Sequence, residues 1–217
     1  MTDNLLQLDV ATELFWDPKV GSAAIAVSAD GGTITLRGTV SSLREKREAK
    51  KAAERVYGVT TVNDELQVQI LDKDRRDDTE LRGDVLHALV LDGLIPTTVD
   101  ARVTGGFVTL TGTASWQYQR DEAKFIVANV PGVFGIEDRI RLITAPNGRD
   151  IKDDIGRAFA RSARLDADGL SISTAPGTVT LSGVVRSWGE HDEAIAAAWA
   201  APGITEVHDH IKIEYFK

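Results

Sequence analysis

The sequence contains no cysteine. A disulfide framework, a thiolate zinc site and a thiol nucleophile are therefore excluded. It has no apolar run approaching the roughly 18 residues that a membrane-crossing helix requires. The opening residues, MTDNLLQLDV, lack both the basic and the long apolar stretch of a secretory signal. A cytoplasmic location is expected on that ground, with a periplasmic or membrane-peripheral one as the alternative. Positive charge is outnumbered: 25 Lys and Arg stand against 33 Asp and Glu, for a net charge of -8. That balance argues against non-specific nucleic-acid binding, whose affinity rests on neutralising phosphates. Also missing are an HExxH helix, a P-loop and a G-x-S-x-G nucleophile elbow. Gly31-Gly32 and Gly105-Gly106 precede strand-like patterns, so they read as hairpin turns and not as phosphate cradles. Neither an enzymatic activity nor a cofactor is expected.

What the 217 residues do contain is one pattern three times. Ile25–Gly38, Val99–Gly112 and Leu170–Gly183 align without a gap and end at Gly38, Gly112 and Gly183. Twenty residues after each stands another glycine, Gly58, Gly132 and Gly203. Six further on stands an aspartate, Asp64, Asp138 and Asp209. The period, 74 and then 71 residues, is long enough for each copy to be a small domain with its own core. Polar stretches at Leu71–Asp78 and Thr144–Asp150 mark the boundaries, which places the copies at 1–71, 77–145 and 149–217. With the linkers apportioned, as 1–72, 73–148 and 149–217, the net charges are -3, -2 and -3, so none is a basic arm.

Each copy opens with apolar residues at i, i+4 and i+8: Leu6/Val10/Leu14, Leu81/Val85/Leu89 and Ile151/Ile155/Phe159. This spacing predicts a helix with one buried face. Two alternating strands follow, joined at Gly32, Gly106 or Gly177, with Thr35, Thr109 and Thr180 pointing away from the core. A second helix carries Ala49/Ala52/Ala53/Val56, Ala123/Ile126/Val127/Val130 or Ala194/Ala197/Ala198/Ala201 on its inner face. Ser42-x-x-Glu45 and Ser187-x-x-Glu190 have the capping-box pattern at its start. Gly58, Gly132 and Gly203 fit a left-handed stop at its end. A third strand closes the copy through Leu66/Val68, Ile140/Leu142 or Ile211/Ile213. The expected architecture is α+β: three tandem αββαβ modules, each with two helices packed on one face of a three-stranded mixed sheet. The helix between the second and third strands lets them run parallel.

Ile34-Thr-Leu-Arg-Gly-Thr-Val40 and Val56-Tyr-Gly-Val-Thr-Thr-Val-Asn-Asp-Glu-Leu66 resemble the two motifs of the BON domain (bacterial OsmY and nodulation). Val108–Ala114 with Val130–Ile140, and Val179–Val185 with Ala201–Ile211, repeat the resemblance, so it covers nearly the whole chain. Glu137 and His208 depart from it where the first copy has Asn63. The resemblance implies the αββαβ fold and a non-enzymatic binding or scaffolding role, stress- or envelope-associated. The partners it implies are an anionic phospholipid surface, a monovalent cation such as potassium, or another protein.

Several residues are candidates for such roles. Asp64, Asp138 and Asp209 suit either a hard cation, which takes oxygen ligands, or backbone N–H groups at the third strand. Arg44, Arg47, Lys50, Lys51 and Arg55 lie opposite the alanine face of their helix, where they could meet anionic headgroups or an acidic partner. Trp116 and Trp188 open second helices, either as staples or as membrane-interface anchors. His208 and His210 share one strand face that reads as solvated. In the third copy, Glu193–Pro202 is apolar nearly all round. Trp199 and Ile195, with Phe125 of the second copy, are therefore expected at inter-repeat or subunit contacts, and a homo-oligomer would satisfy them.

Overall fold

In a computed structural model of the chain, residues 2–69, 76–143, 152–161 and 169–215 are described. Ile151, most of the first linker and all of the second lie outside them. The repeated pattern folds as its periodicities require. Module 1 comprises α1 (Asp3–Trp16), β1 (Ile25–Asp30), β2 (Thr33–Val40), α2 (Leu43–Glu54) and β3 (Thr61–Val68). Module 2 comprises α3 (Asp78–Leu91), β4 (Asp100–Thr104), β5 (Phe107–Ala114), α4 (Gln117–Ala128) and β6 (Gly135–Leu142). Module 3 comprises α5 (Lys152–Arg161), β7 (Leu170–Ala175), β8 (Thr178–Val185), α6 (Trp188–Trp199) and β9 (Glu206–Ile213). The chain divides into two compact units. One is residues 1–113 with 119–141 and holds modules 1 and 2; the other is 114–118 with 142–217 and holds module 3.

Each sheet has its second strand in the centre. In modules 1 and 3 the hairpin pair is antiparallel and the third strand runs parallel to the centre. The parallel pairing follows from the intervening helix, which carries the chain back to the same end of the sheet. In module 1, α1 packs over β1 while α2 packs over β2 and β3, so the two helices share one face. Between the layers lie Leu6, Val10 and Leu14, Ile34 and Leu36, and Ala49, Ala52 and Ala53, all buried. Alanine on α2 is what lets that helix approach the sheet closely while the larger side chains come from α1 and β2.

Two local features differ from the sequence-based expectations, and a third adds to them. In the capping boxes, Ser42 and Ser187 accept from the N–H groups of Glu45 and Glu190. The glutamates, however, do not return to the cap residue. Glu45 accepts from the N–H groups of Ser41 and Gly21, each at 2.7 Å, and Glu190 from that of Arg186 at 2.8 Å. The strand-to-helix turn thus presents its orphan donors one residue early. Secondly, Gly58 and its equivalents have φ near +100° but stand four residues past the last helical residue. They turn the chain into the last strand and do not cap the helix directly. Thirdly, the first helices of modules 1 and 2 also brace their hairpins. Asp3 accepts from the N–H of Gly31, and Asp78 from those of Gly105 and Gly106.

Gly38, Gly112 and Gly183 recur because of one close approach. A Cβ there would lie 1.9–2.1 Å from the carbonyl oxygen of Ala24, Thr98 or Gly169, where the chain enters the neighbouring strand. Their φ values of 121–131° are also a region that side chains other than glycine's rarely adopt.

Candidate functional site

The feature that recurs in all three modules is built on the triplicated aspartate. It lies on the helix-facing side of the third strand, an edge strand whose outward backbone groups have no ladder partner. In every copy one carboxylate oxygen accepts, at 3.0 Å, from the N–H two residues on: Leu66, Ile140 and Ile211. In every copy a basic side chain eight residues after the conserved-spacing glycine reaches across from the second helix. In module 1 this is Lys46, 3.6 Å from Asp64, whose ammonium also donates to the Leu66 carbonyl. In module 2 it is Arg120, 2.8 Å from Asp138, supported by Lys124 at 3.7 Å. In module 3 it is His191, whose Nε2 lies 2.7 Å from Asp209.

The arrangement is a clamp between the second helix and the open edge of the sheet. It neutralises the carboxylate, satisfies an outward N–H and blunts an edge that would otherwise template pairing with another chain. Each of these carboxylates therefore already has a basic side-chain partner and a backbone donor. Among the described residues no group of three His, Asp or Glu side chains converges as a metal site. The basic member was missed in the sequence because Lys, Arg and His look unrelated until the contact aligns them. Replacing Asp138 with Ala removes both ion pairs and leaves the Ile140 N–H without its acceptor. The expected cost is about 1–3 kcal/mol, larger than for Asp64→Ala, whose cation is more distant. Urea unfolding of the two variants measures this.

The cationic row of α2 does not remain one surface. Arg55 turns to α1 and pairs with Glu13 and Asp17, at 2.9 and 2.7 Å. That contact holds the Asp17 carboxyl below its usual value, with the Lys19 N–H assisting. Lys50 pairs with Glu54. Arg47 lies over the ring of Phe125 in module 2, 5.3 Å from its centroid, a cation–π contact between two modules of one unit. Arg44 and Lys51 remain exposed to solvent.

Ile195 and Trp199 are half-buried against the core of their own module, as is Trp188, which stacks edge-on against His191. Trp116 precedes α4 and is 38% exposed. His208 and His210 are exposed, and His208 meets Glu206 at 3.1 Å. The apolar surface that sequence periodicity did not single out is on α1. Opposite the buried Leu6/Val10/Leu14 face, Leu5, Leu8, Phe15 and Trp16 are 53–74% exposed, and the two rings meet edge to face. The signal was present at i, i+3 and i+10, but a second apolar row on a short helix looks like core until the sheet shows which side it covers.

The BON domain profile matches residues 2–70, 77–144 and 147–215. This chain belongs to the BON-domain family. A curated relative, "Osmotically-inducible protein Y" of Escherichia coli (strain K12), is 32% identical over 146 residues, spanning 65% of this chain and 73% of that protein. Among solved structures, CdsD is described as a structural protein of the type III secretion system of Chlamydia trachomatis. It covers 99% of this chain and 94% of its own at 13% identity, with a TM-score of 0.28, a likeness too slight to support any argument. As a member of the BON family, the chain is a tandem array of three copies. Among the described residues no helix is long and apolar enough to cross a membrane.

Proposed function

We propose that this protein is a non-enzymatic, stress-associated BON binding protein whose first module docks peripherally on an anionic phospholipid surface. The observation that carries the reading is the exposed row Leu5, Leu8, Phe15 and Trp16 on α1. Aromatic rings at the edge of an otherwise polar surface are suited to the headgroup boundary. The row lies on the helical layer of module 1, beside α2, which contributes the exposed cations Arg44 and Lys51. The acidic residues next to the two rings, Glu13 and Asp17, are paired by Arg55, which lowers the cost of bringing this end toward negative charge. The association with stress rests on the relative's description as osmotically inducible. A cation-sensing role has less support, because the three repeated carboxylates are already engaged within the clamps.

Co-sedimentation with vesicles tests the reading. The protein should pellet with vesicles containing acidic lipid, less with zwitterionic ones, and less again at high salt, where headgroup attraction is screened. The Phe15→Ser/Trp16→Ser double variant changes only exposed side chains and should fold normally while pelleting several-fold less. No pelleting of the wild type, or equal pelleting of the variant, overturns the proposal. Self-association that is lost in the variant, without any vesicle binding, would reassign the row to protein assembly.

A further inference from the structure

The three clamps are equivalent in place but not in chemistry. Modules 1 and 2 use a lysine and an arginine, side chains that do not titrate in the physiological range, whereas histidine, used in module 3, is the side chain whose ordinary value falls within it. The geometry around His191 makes this difference consequential. Its Nε2 lies 2.7 Å from an Asp209 oxygen, and its Nδ1 3.2 Å from an Asp192 oxygen. Ionised carboxylates only accept hydrogen bonds, and a neutral imidazole has one N–H and one lone pair. Both contacts are satisfied together only when both ring nitrogens carry protons. The side chain is 14% exposed, with Trp188 against it at 5.2 Å between ring centroids.

We propose that the third module contains a proton-binding site, His191 with Asp209 and Asp192, that fastens α6 to β9 when protonated and loosens it when the proton leaves. The proton is the ligand, and modules 1 and 2 are built without this response. The groups that set the titration are on two elements. Asp192, on α6 itself, raises the His191 pKa and Asp209, on β9, raises it further, while burial opposes them. The other elements packed on α6 are α5 and β8. No residue of β8 is charged; the charged groups of α5 are Lys152, Asp153, Asp154, Arg157 and Arg161, and the two carboxylates that bond the ring are those of Asp192 and Asp209. His208, His210 and Lys212 lie on the opposite face of β9, by strand alternation.

A folded-state pKa raised above the unfolded value fixes the direction of the effect. The added stability is fully present below the unfolded histidine value of about 6.5 and disappears as pH rises through the higher folded value. Each unit between the two values changes the folded-to-unfolded ratio of module 3 about tenfold.

The experiment is an NMR titration of the four histidines in the full chain, with denaturant unfolding at pH 6 and pH 8 followed by amide signals of α6 and β9. His191 should titrate above the ordinary histidine value of about 6.5, and module 3 should be several-fold more populated as folded at pH 6 than at pH 8. His191→Arg installs the module 2 arrangement and should remove that difference while keeping the module folded. His191→Gln should remove it as well, at lower stability. If His191 titrates at or below the ordinary histidine value of about 6.5, or if His191→Arg keeps the wild-type dependence on pH, the proposal is overturned.

Discussion

Gly38→Ala should unfold or nearly unfold module 1. The new Cβ would sit 1.9 Å from the Ala24 carbonyl oxygen, a backbone atom that no side-chain rotation can move. It would also hold a residue at φ 131°, where side chains are strained. The backbone penalty is about 1–3 kcal/mol and the forced displacement a similar amount. The expected total is roughly 3–5 kcal/mol, most of what a domain of this size has to lose. Gly31→Ala is the control. It also has positive φ, at 54°, but nothing lies within 4 Å of its added Cβ. It should cost only about 1–2 kcal/mol, the left-handed penalty alone. Amide-exchange protection across β1, β2 and β3 reads both variants. Equal losses would mean that β1 does not enter beside Gly38.

Phe159→Ala should have an effect of the same size in module 3. Only 10 residues of α5 are described, with Ile155 and Phe159 as their buried side chains. Phe159 is 2% exposed and lies in a cluster with Ile155, Val179, Leu181 and Ala198. Truncating a buried phenylalanine costs about 3–5 kcal/mol, through lost transfer energy and the cavity left behind. The expected result is loss of amide protection over module 3 and a red shift in tryptophan emission, since Trp188 and Trp199 rest on that core. Retained emission and protection would show that α5 is dispensable to the core. In module 1, Leu14→Ala also opens a cavity, but Leu6, Val10 and Val20 still pack with that core. The cost should be nearer 2–4 kcal/mol.

The fold was legible in residue spacing because the forces that make it are local and periodic. The buried face of α1 and the alternation of Ile34 and Leu36 follow from helix and strand geometry alone. The chain reversal before β3 follows from the helix inserted there. Repetition made these patterns unmistakable, because three copies had to satisfy the same packing. Gly38, Gly112 and Gly183 were visible as invariants, but their cause, a carbonyl at the entry to the preceding strand, was not.

Side-chain pairing across elements was much less legible. Arg55 belongs to a basic stripe by helical angle, yet α1 takes it for Glu13 and Asp17. Asp209 was recognisable as a repeated acid, while its partner His191 shared no residue type with Lys46 or Arg120. Spacing along the chain alone therefore determined three αββαβ modules, their cores and the recurrence of glycine and aspartate. Tertiary structure decided which charges meet, which helical row stays in solvent and which clamp responds to protons. Backbone periodicity depends on neighbours in sequence, whereas the state of a charge depends on distances between segments that only packing brings together.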